Sequence, residues 1–222
     1  MNLFDIMGPV MVGPSSSHTA GAVRMGRIAR HLLGETPRRA EILLHGSFAA
    51  TGAGHGTDRA LTAGLLDMEP DDTRIPRSFE LARAAGMEVT LGRISLRDAH
   101  PNTALLRLEG AAGGRVEVQA ASLGGGRVRV SAIDGLAASF TGEYPTLVIR
   151  NEDAPGHVSR VTALLGGRGV NIATMQLFRD RRGGLAAMVI ESDQPIAPDV
   201  VAGLRAQPGI VRVTYLNMGG GV

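Results

Sequence analysis

The residues best suited to chemistry lie between Gly13 and Gly21, where Ser15, Ser16, Ser17, His18 and Thr19 stand side by side. From Ala22 onward, Ala22, Met25, Ala29, Leu32 and Leu33 recur on one helical face while Arg24, Arg27 and Arg30 recur on another, which predicts a helix over 22–33. The serines therefore fall at a helix N-terminus, where backbone N–H groups are free and the dipole end is positive. That is a cradle for a carboxylate, to which hydroxyls add donors and His18 adds a group titrating near neutrality. Capping alone favours one Ser or Thr at such a place. Three serines and a histidine exceed what a cap needs, so the stretch reads as a small-anion site.

A second stretch sets Gly52, Gly54 and Gly56 around His55, followed by Thr57 and Asp58. Glycines on either side let a ligand or another backbone approach the imidazole closely. The pattern is no Walker loop, which ends in Gly-Lys-Ser/Thr, and its spacing does not match a dinucleotide fingerprint. A lone histidine is ordinarily a packed or surface residue; the glycine flanks and Thr57 make His55 a catalytic candidate. His100-Pro101-Asn102-Thr103 is a polar turn between predicted strands, readable as turn chemistry or as part of a site. A metal hydrolase using His18, His45, His55 and His100 is a weaker alternative. No His-x-x-x-His spacing occurs, and the only acids near these histidines are Asp58 and Asp98.

Composition narrows the chemistry further. All 23 basic residues are Arg, which lifts the sequence pI to about 9.9 while the net charge is only +2. No basic block with interleaved aromatics is present, so nucleic acid is not an expected partner. Without Lys the chain cannot hold pyridoxal phosphate as the usual Schiff base, and without Cys it cannot ligate an iron–sulfur cluster through thiolates. Any such cofactor must come from another chain. The opening Met1-Asn2-Leu3-Phe4-Asp5 is not the basic-then-apolar start of a secretory signal, and no apolar run approaches the roughly 20 residues of a membrane span. With no disulfide framework possible, a soluble cytoplasmic protein is expected.

The elements that must position these residues follow in order. An apolar lead-in over 2–12, broken by Gly8-Pro9, runs into the serines. A strand is expected over 40–46, and an open glycine-rich segment from Ser47 to Arg59. Helices are expected over 60–66 and 78–85, and strands over 87–96, 104–108, 116–120 and 128–132, the last two joined by Gly124-Gly125-Gly126. Residues 134–145 read as a linker. The remainder reads strand 146–150, helix from Gly156 to Gly166, strand 171–178, turn 180–184, strand 185–191, helix from Pro198 and strand 210–216. The expectation is an α+β protein with an N-terminal mixed domain over 1–140 and a ferredoxin-like β-α-β-β-α-β domain over 146–222.

These stretches carry a resemblance. Gly13 to Gly21, His45-Gly46-Ser47, Gly54-His55-Gly56-Thr57-Asp58 and His100-Pro101-Asn102-Thr103 resemble the beta subunit of bacterial iron–sulfur-dependent L-serine dehydratase. Asp153-Ala154-Pro155-Gly156, Gly169-Val170-Asn171-Ile172 and Gly183-Gly184 resemble an ACT domain. The resemblance implies an L-serine ammonia-lyase, which turns L-serine into pyruvate and ammonia together with an alpha subunit whose cysteines hold a 4Fe-4S cluster. No metal ligand is expected from this chain. The roles it suggests are His55 as base, Thr57 positioning it or the substrate, and His18 as a second acid–base or hydrogen-bonding group. Ser15, Ser16, Ser17 and Thr19 would bind the substrate carboxylate, with His100 and Asn102 completing the wall. ACT domains pair edge to edge and bind amino acids, which implies a homodimer and effector contacts at Asn171, Gly169 and Asp153. The rival is a regulatory subunit that senses serine or another amino acid and leaves all chemistry to its partner.

Overall fold

The computed structural model describes residues 10–13 and 15–218, so Pro14 and most of the expected lead-in lie outside the described residues. The chain forms two units that divide between Asp134 and Gly135.

In the first unit a π-helical segment, Ser16–Gly21, runs directly into α1 (Ala22–Leu33). There follow β1 (Pro37–Leu44), α2 (Gly46–His55), α3 (Thr57–Leu65), a short 3-10 turn, α4 (Ser78–Ala84), β2 (Glu88–Arg93), β3 (Thr103–Gly110), β4 (Arg115–Gly124) and β5 (Arg127–Ile133). Its strands lie in the order β2-β1-β3-β4-β5. β1 and β2 are parallel and the other pairs antiparallel. Alternation sorts the sheet into two faces. Ala40, Ile42, Leu106, Leu108, Val116, Val118 and Val130 are buried, as are Val23, Met25, Ile28 and Leu32 of α1. The alternate residues carry a charge ladder, in which Arg107 donates to Glu117 at 2.7 Å and to Glu41 at 3.0 Å. A hollow of about 560 Å³ over this ladder holds no histidine or serine.

The helices are drawn together by missing side chains. A Cβ at Gly26 would collide with the Leu61 carbonyl oxygen of α3, and one at Gly64 with the Val23 carbonyl oxygen of α1. Backbone meets backbone at that crossing.

Residues 47–55, expected to be open, form the helix α2. Ala49 and Ala50 favour it, and Phe48, fully buried, anchors it. Glycines with positive φ bound it, Gly46 at +56° and Gly56 at +69°. Gly46 also admits the 100–103 loop, since a Cβ there would meet Pro101 backbone atoms at 2.6–2.8 Å.

The second unit opens with β6 (Leu136–Phe140), inside the segment expected to be a linker. β6 lies beside β8 and β9, so the domain boundary falls a few residues before the expected position at 140. Then come β7 (Thr146–Glu152), α5 (His157–Gly166), β8 (Ile172–Arg179), β9 (Leu185–Ser192), α6 (Pro198–Arg205) and β10 (Ile210–Leu216), with strand order β10-β7-β9-β8. This is the expected β-α-β-β-α-β arrangement. Leu147, Ile149, Met188 and Ile190 of the sheet pack with Val161, Leu165, Val200 and Leu204 of the helices. Among the described residues, no helix is long and apolar enough to cross a membrane.

Gly64→Ala should destabilise the chain by about 1–3 kcal/mol, the usual cost of overpacking, and lower its urea midpoint. Gly54→Ala, on α2 with nothing within 4 Å of the new Cβ, should raise that midpoint through helix propensity alone.

Candidate active site

Ser15 stands in extended conformation before the π-helical segment and caps it, its hydroxyl oxygen accepting from the His18 backbone N–H at 3.3 Å. The wide π turn carries the His18 ring onto α2. There it meets Phe48, Thr51 and His55, which stand at i, i+3 and i+7 along one face of that helix. The Phe48 ring lies edge-on at 5.1 Å between centroids, and the His55 ring is 5.0 Å away. His18 Nε2 is 3.1 Å from Thr51 Oγ1, and Nδ1 is 3.3 Å from Ser15 Oγ.

The direction of each bond follows from proton counting. The single Thr51 hydroxyl proton goes to the Ser47 carbonyl at 2.9 Å, so Thr51 accepts from His18 Nε2–H. In the neutral ring His18 therefore carries its proton at Nε2, and the Ser15 hydroxyl, which also accepts from the His18 backbone N–H, gives its proton to Nδ1. Burial, and secondarily the nearby His55, lower its pKa below the ordinary 6.5. His100 is pinned in the same sense, its Nδ1 accepting from the Asn102 N–H at 3.1 Å, while His45 Nδ1 is held between the Leu96 N–H at 3.2 Å and the Ile94 carbonyl oxygen at 3.3 Å. His55 differs. It is exposed at the last position of α2, and its ring makes no hydrogen bond among the described residues.

The remaining candidates divide. Ser16 and Ser17 are half-buried at the start of the π segment, with Ser17 Oγ 3.8 Å from where a Cβ on Gly124 would stand. Ser15 does not offer a free hydroxyl to a carboxylate, because both its roles are taken by His18. Thr19 is 2% exposed against Gly13, and its hydroxyl lies buried without a partner, so it does not face a substrate. Thr57 is fully buried against Gly52, which removes it from direct contact with substrate and from the His55 ring's hydrogen bonding. The 100–103 loop is tied to the first turn of α2, with the Ser47 N–H donating to the Pro101 carbonyl at 2.8 Å and the His45 N–H to the Thr103 carbonyl at 3.0 Å. His100 and Asn102 therefore sit at the end of α2 opposite His55. Among the described residues, no group of three or more His, Asp or Glu is placed to hold a metal, and the four histidines of the metal-hydrolase alternative do not form one.

The second unit separates the three expected effector contacts. Asp153 lies at one end of its sheet, where its carboxylate accepts from the Gly183 N–H at 2.9 Å and from Arg179 at 3.2 Å. Those bonds, the Gly183 one foremost against a small opposing desolvation, hold its pKa below the usual carboxylate value. Gly169 and Asn171 lie at the other end, where the Asn171 amide donates to Asp193 and the Gly169 carbonyl accepts from Gln194 at 2.6 Å. One protomer cannot bring Asp153 to a ligand held by Asn171, since a full strand separates them.

Thr51 carries no signal in the sequence while 47–55 is read as a loop. As a helix, the i, i+3, i+7 spacing of Phe48, Thr51 and His55 marks the face that receives His18.

Family models match this geometry's carrier in two places, the "Serine dehydratase beta chain" over residues 2–97 and the "ACT domain" over residues 146–209. The chain is 38% identical over 215 residues to the probable L-serine dehydratase, beta chain, of Bacillus subtilis (strain 168), covering 97% of each. It is 39% identical over 216 residues to the L-serine dehydratase, beta chain, of Peptoniphilus asaccharolyticus, again covering 97% of each. It is also 26% identical over 200 residues to the D-3-phosphoglycerate dehydrogenase of Archaeoglobus fulgidus, covering 89% of this chain and 37% of that one.

Because burial and His55 both oppose its charging, His18 should titrate below 6.5 in a histidine-detected NMR titration of the full chain. His55→Gln should move that midpoint up, though not fully to 6.5, since burial remains. The unfolded chain takes up the His18 proton first as pH falls below 6.5, so this residue's contribution to stability is present above 6.5 and declines below it.

Proposed function

The chain belongs to the family of L-serine dehydratase beta chains and carries a C-terminal ACT domain, and on that premise we propose that it supplies the proton-handling half of a shared lyase site. As a serine dehydratase subunit it works with an alpha-chain partner. The reaction removes the α-proton of L-serine, breaks the Cβ–O bond and releases the hydroxyl, with a proton, as water. The resulting enamine becomes an imine, which water hydrolyses to pyruvate and ammonia.

The observation that carries this reading is the contrast between His55 and the other three imidazoles. A general base needs a lone pair free to face the substrate. In His18 and His100 the Nδ1 lone pair is engaged and His45 Nδ1 is held between a backbone N–H and a backbone carbonyl, whereas the exposed His55 ring is uncommitted among the described residues. His55 takes the α-proton. His18, neutral and 5.0 Å away, adds no positive charge to oppose the protonation of His55. Ser16 and Ser17, with the backbone N–H groups at the start of the π segment, hold the substrate carboxylate. His100 and Asn102 serve by fixing the start of α2.

A 4Fe-4S cluster does not fit on this chain, which has no cysteine and, among the described residues, no metal-ligating cluster. In this reading the alpha subunit holds it. The exposure of His55 supports such sharing, since a reaction needing a dry site would be closed by the partner. In the ACT unit, β8 is one of the two outer strands and the one that leads out of the Gly169 to Asn171 turn; in this reading two copies pair along it and the turn contacts an amino-acid effector at that junction.

A regulatory reading draws on the match to D-3-phosphoglycerate dehydrogenase, of which this chain resembles only a part. Kinetics separate the two. In the anaerobically reconstituted pair of chains, His55→Gln should lower kcat for pyruvate formation by about 10²–10⁴, the usual worth of a general base, with KM little changed. An intact kcat with shifted half-saturation would instead make this chain a sensor.

A further inference from the structure

We infer that Thr51 is a positioning residue that locks the His18 ring in its Nε2-protonated, neutral form and aims it along the α2 face toward His55. Three distances carry this. The Thr51 hydroxyl donates to the Ser47 carbonyl one helical turn back at 2.9 Å, which leaves its oxygen only as an acceptor. That oxygen is 3.1 Å from His18 Nε2. On the other side of the ring, Ser15 Oγ is 3.3 Å from Nδ1 and is itself fixed by the His18 backbone N–H.

Swapping the tautomer would leave the Nε2 lone pair facing the Thr51 oxygen, whose one proton is already given to Ser47, whereas the Ser15 hydroxyl can turn to match either tautomer, so Thr51 makes the choice. Protonating the ring would place a charge in a half-buried site beside a second imidazole. The Phe48 edge contact at 5.1 Å then fixes the ring plane. His18 is therefore neither a second base nor a mobile proton carrier. It is a fixed neutral wall, and Thr51 decides its state.

The kinetic consequence rests on the His55 reading given above; the tautomer does not. The first test is accordingly made on the full chain alone, with nitrogen-15 in the histidine rings and long-range proton–nitrogen correlation, His18 being assigned by the signals lost in His18→Gln. Above pH 7 wild type should show the Nε2–H pattern only. Thr51→Val, which keeps the shape and removes the acceptor, should show a detectable Nδ1–H population, as should Thr51→Ala if the valine variant does not fold. Thr51→Ser should restore the wild-type pattern. A wild-type Nδ1–H pattern, or valine and alanine variants indistinguishable from wild type, overturns the inference.

The second test uses the reconstituted pair of chains. Thr51→Val should lower kcat about tenfold with a smaller change in KM, and Thr51→Ser should stay within about twofold of wild type, a hydrogen bond's net worth being about a factor of ten. If the spectra change as expected while kcat does not, the tautomer lock stands and it is the catalytic reading of this face that fails.

Discussion

The seating of one imidazole on one face of α2 is the contact on which the proposed site depends. His18 arrives from the π-helical segment, and Phe48, Thr51 and His55 receive it from a helix only ten residues long. Such a short helix is not stable on propensity alone. It persists because Phe48 is buried, because the 100–103 loop satisfies backbone N–H groups at its start, and because glycines in left-handed conformation end it on both sides. The motif residues that never touch His55 thus still matter to it. Pro101 and Thr103 act through their carbonyl groups on the first turn of the helix whose last residue is His55.

A second constraint lies beneath this one. The π segment can deliver His18 only if α1 is fixed, and α1 is fixed by backbone contact with α3 at Gly26 and Gly64 and by packing over the sheet. Gly21 extends the same logic, since a Cβ there would strike the buried Ser122 hydroxyl of β4. Absent side chains set the positions of the ones that react. The buried and unpartnered hydroxyls of Thr19, Thr57 and Ser122 belong to this packing layer rather than to the surface that His55 shares with solvent.

Much of this was legible in the sequence, and the parts that were not share a cause. Apolar periodicity gave α1 its observed limits, and alternation with turn glycines gave β4 and β5 to within a few residues. The ferredoxin-like order of the second unit was equally plain. α2 was not, because three glycines in five residues look like a loop when backbone freedom is weighed alone. Gly52 is held in the helix by tertiary packing, buried against Leu44 and Thr57 where a larger residue could not fit without displacement, while Gly56 ends the helix in left-handed conformation. Once the helix was missed, Thr51 was invisible, and the burial of Thr57 beneath it could not be foreseen. β6 was missed for a related reason: five residues flanked by Gly135 and Gly142 show little pattern of their own. At the serine cluster, residue type foretold a polar site, yet only geometry divides Ser15, spent on His18, from Ser16 and Ser17.

Neutrality links the two imidazoles to the composition of the whole chain. A base works near neutral pH only if its surroundings do not already crowd it with positive charge. This chain has no lysine, and the arginines near the serine segment are spent on structure. Arg24 donates to the Gly126 carbonyl at 3.0 Å, Arg27 to Asp67 at 3.1 Å, and Arg30 to the Leu65 carbonyl at 3.3 Å. The His18 ring lies 5.0 Å from that of His55, and burial, with His55 itself, opposes its charging. In the proposed site His55 thus shares its helix face with the Thr51 hydroxyl and a second imidazole whose charging is opposed, and on that proposal the group that activates the departing hydroxyl is left to the partner chain.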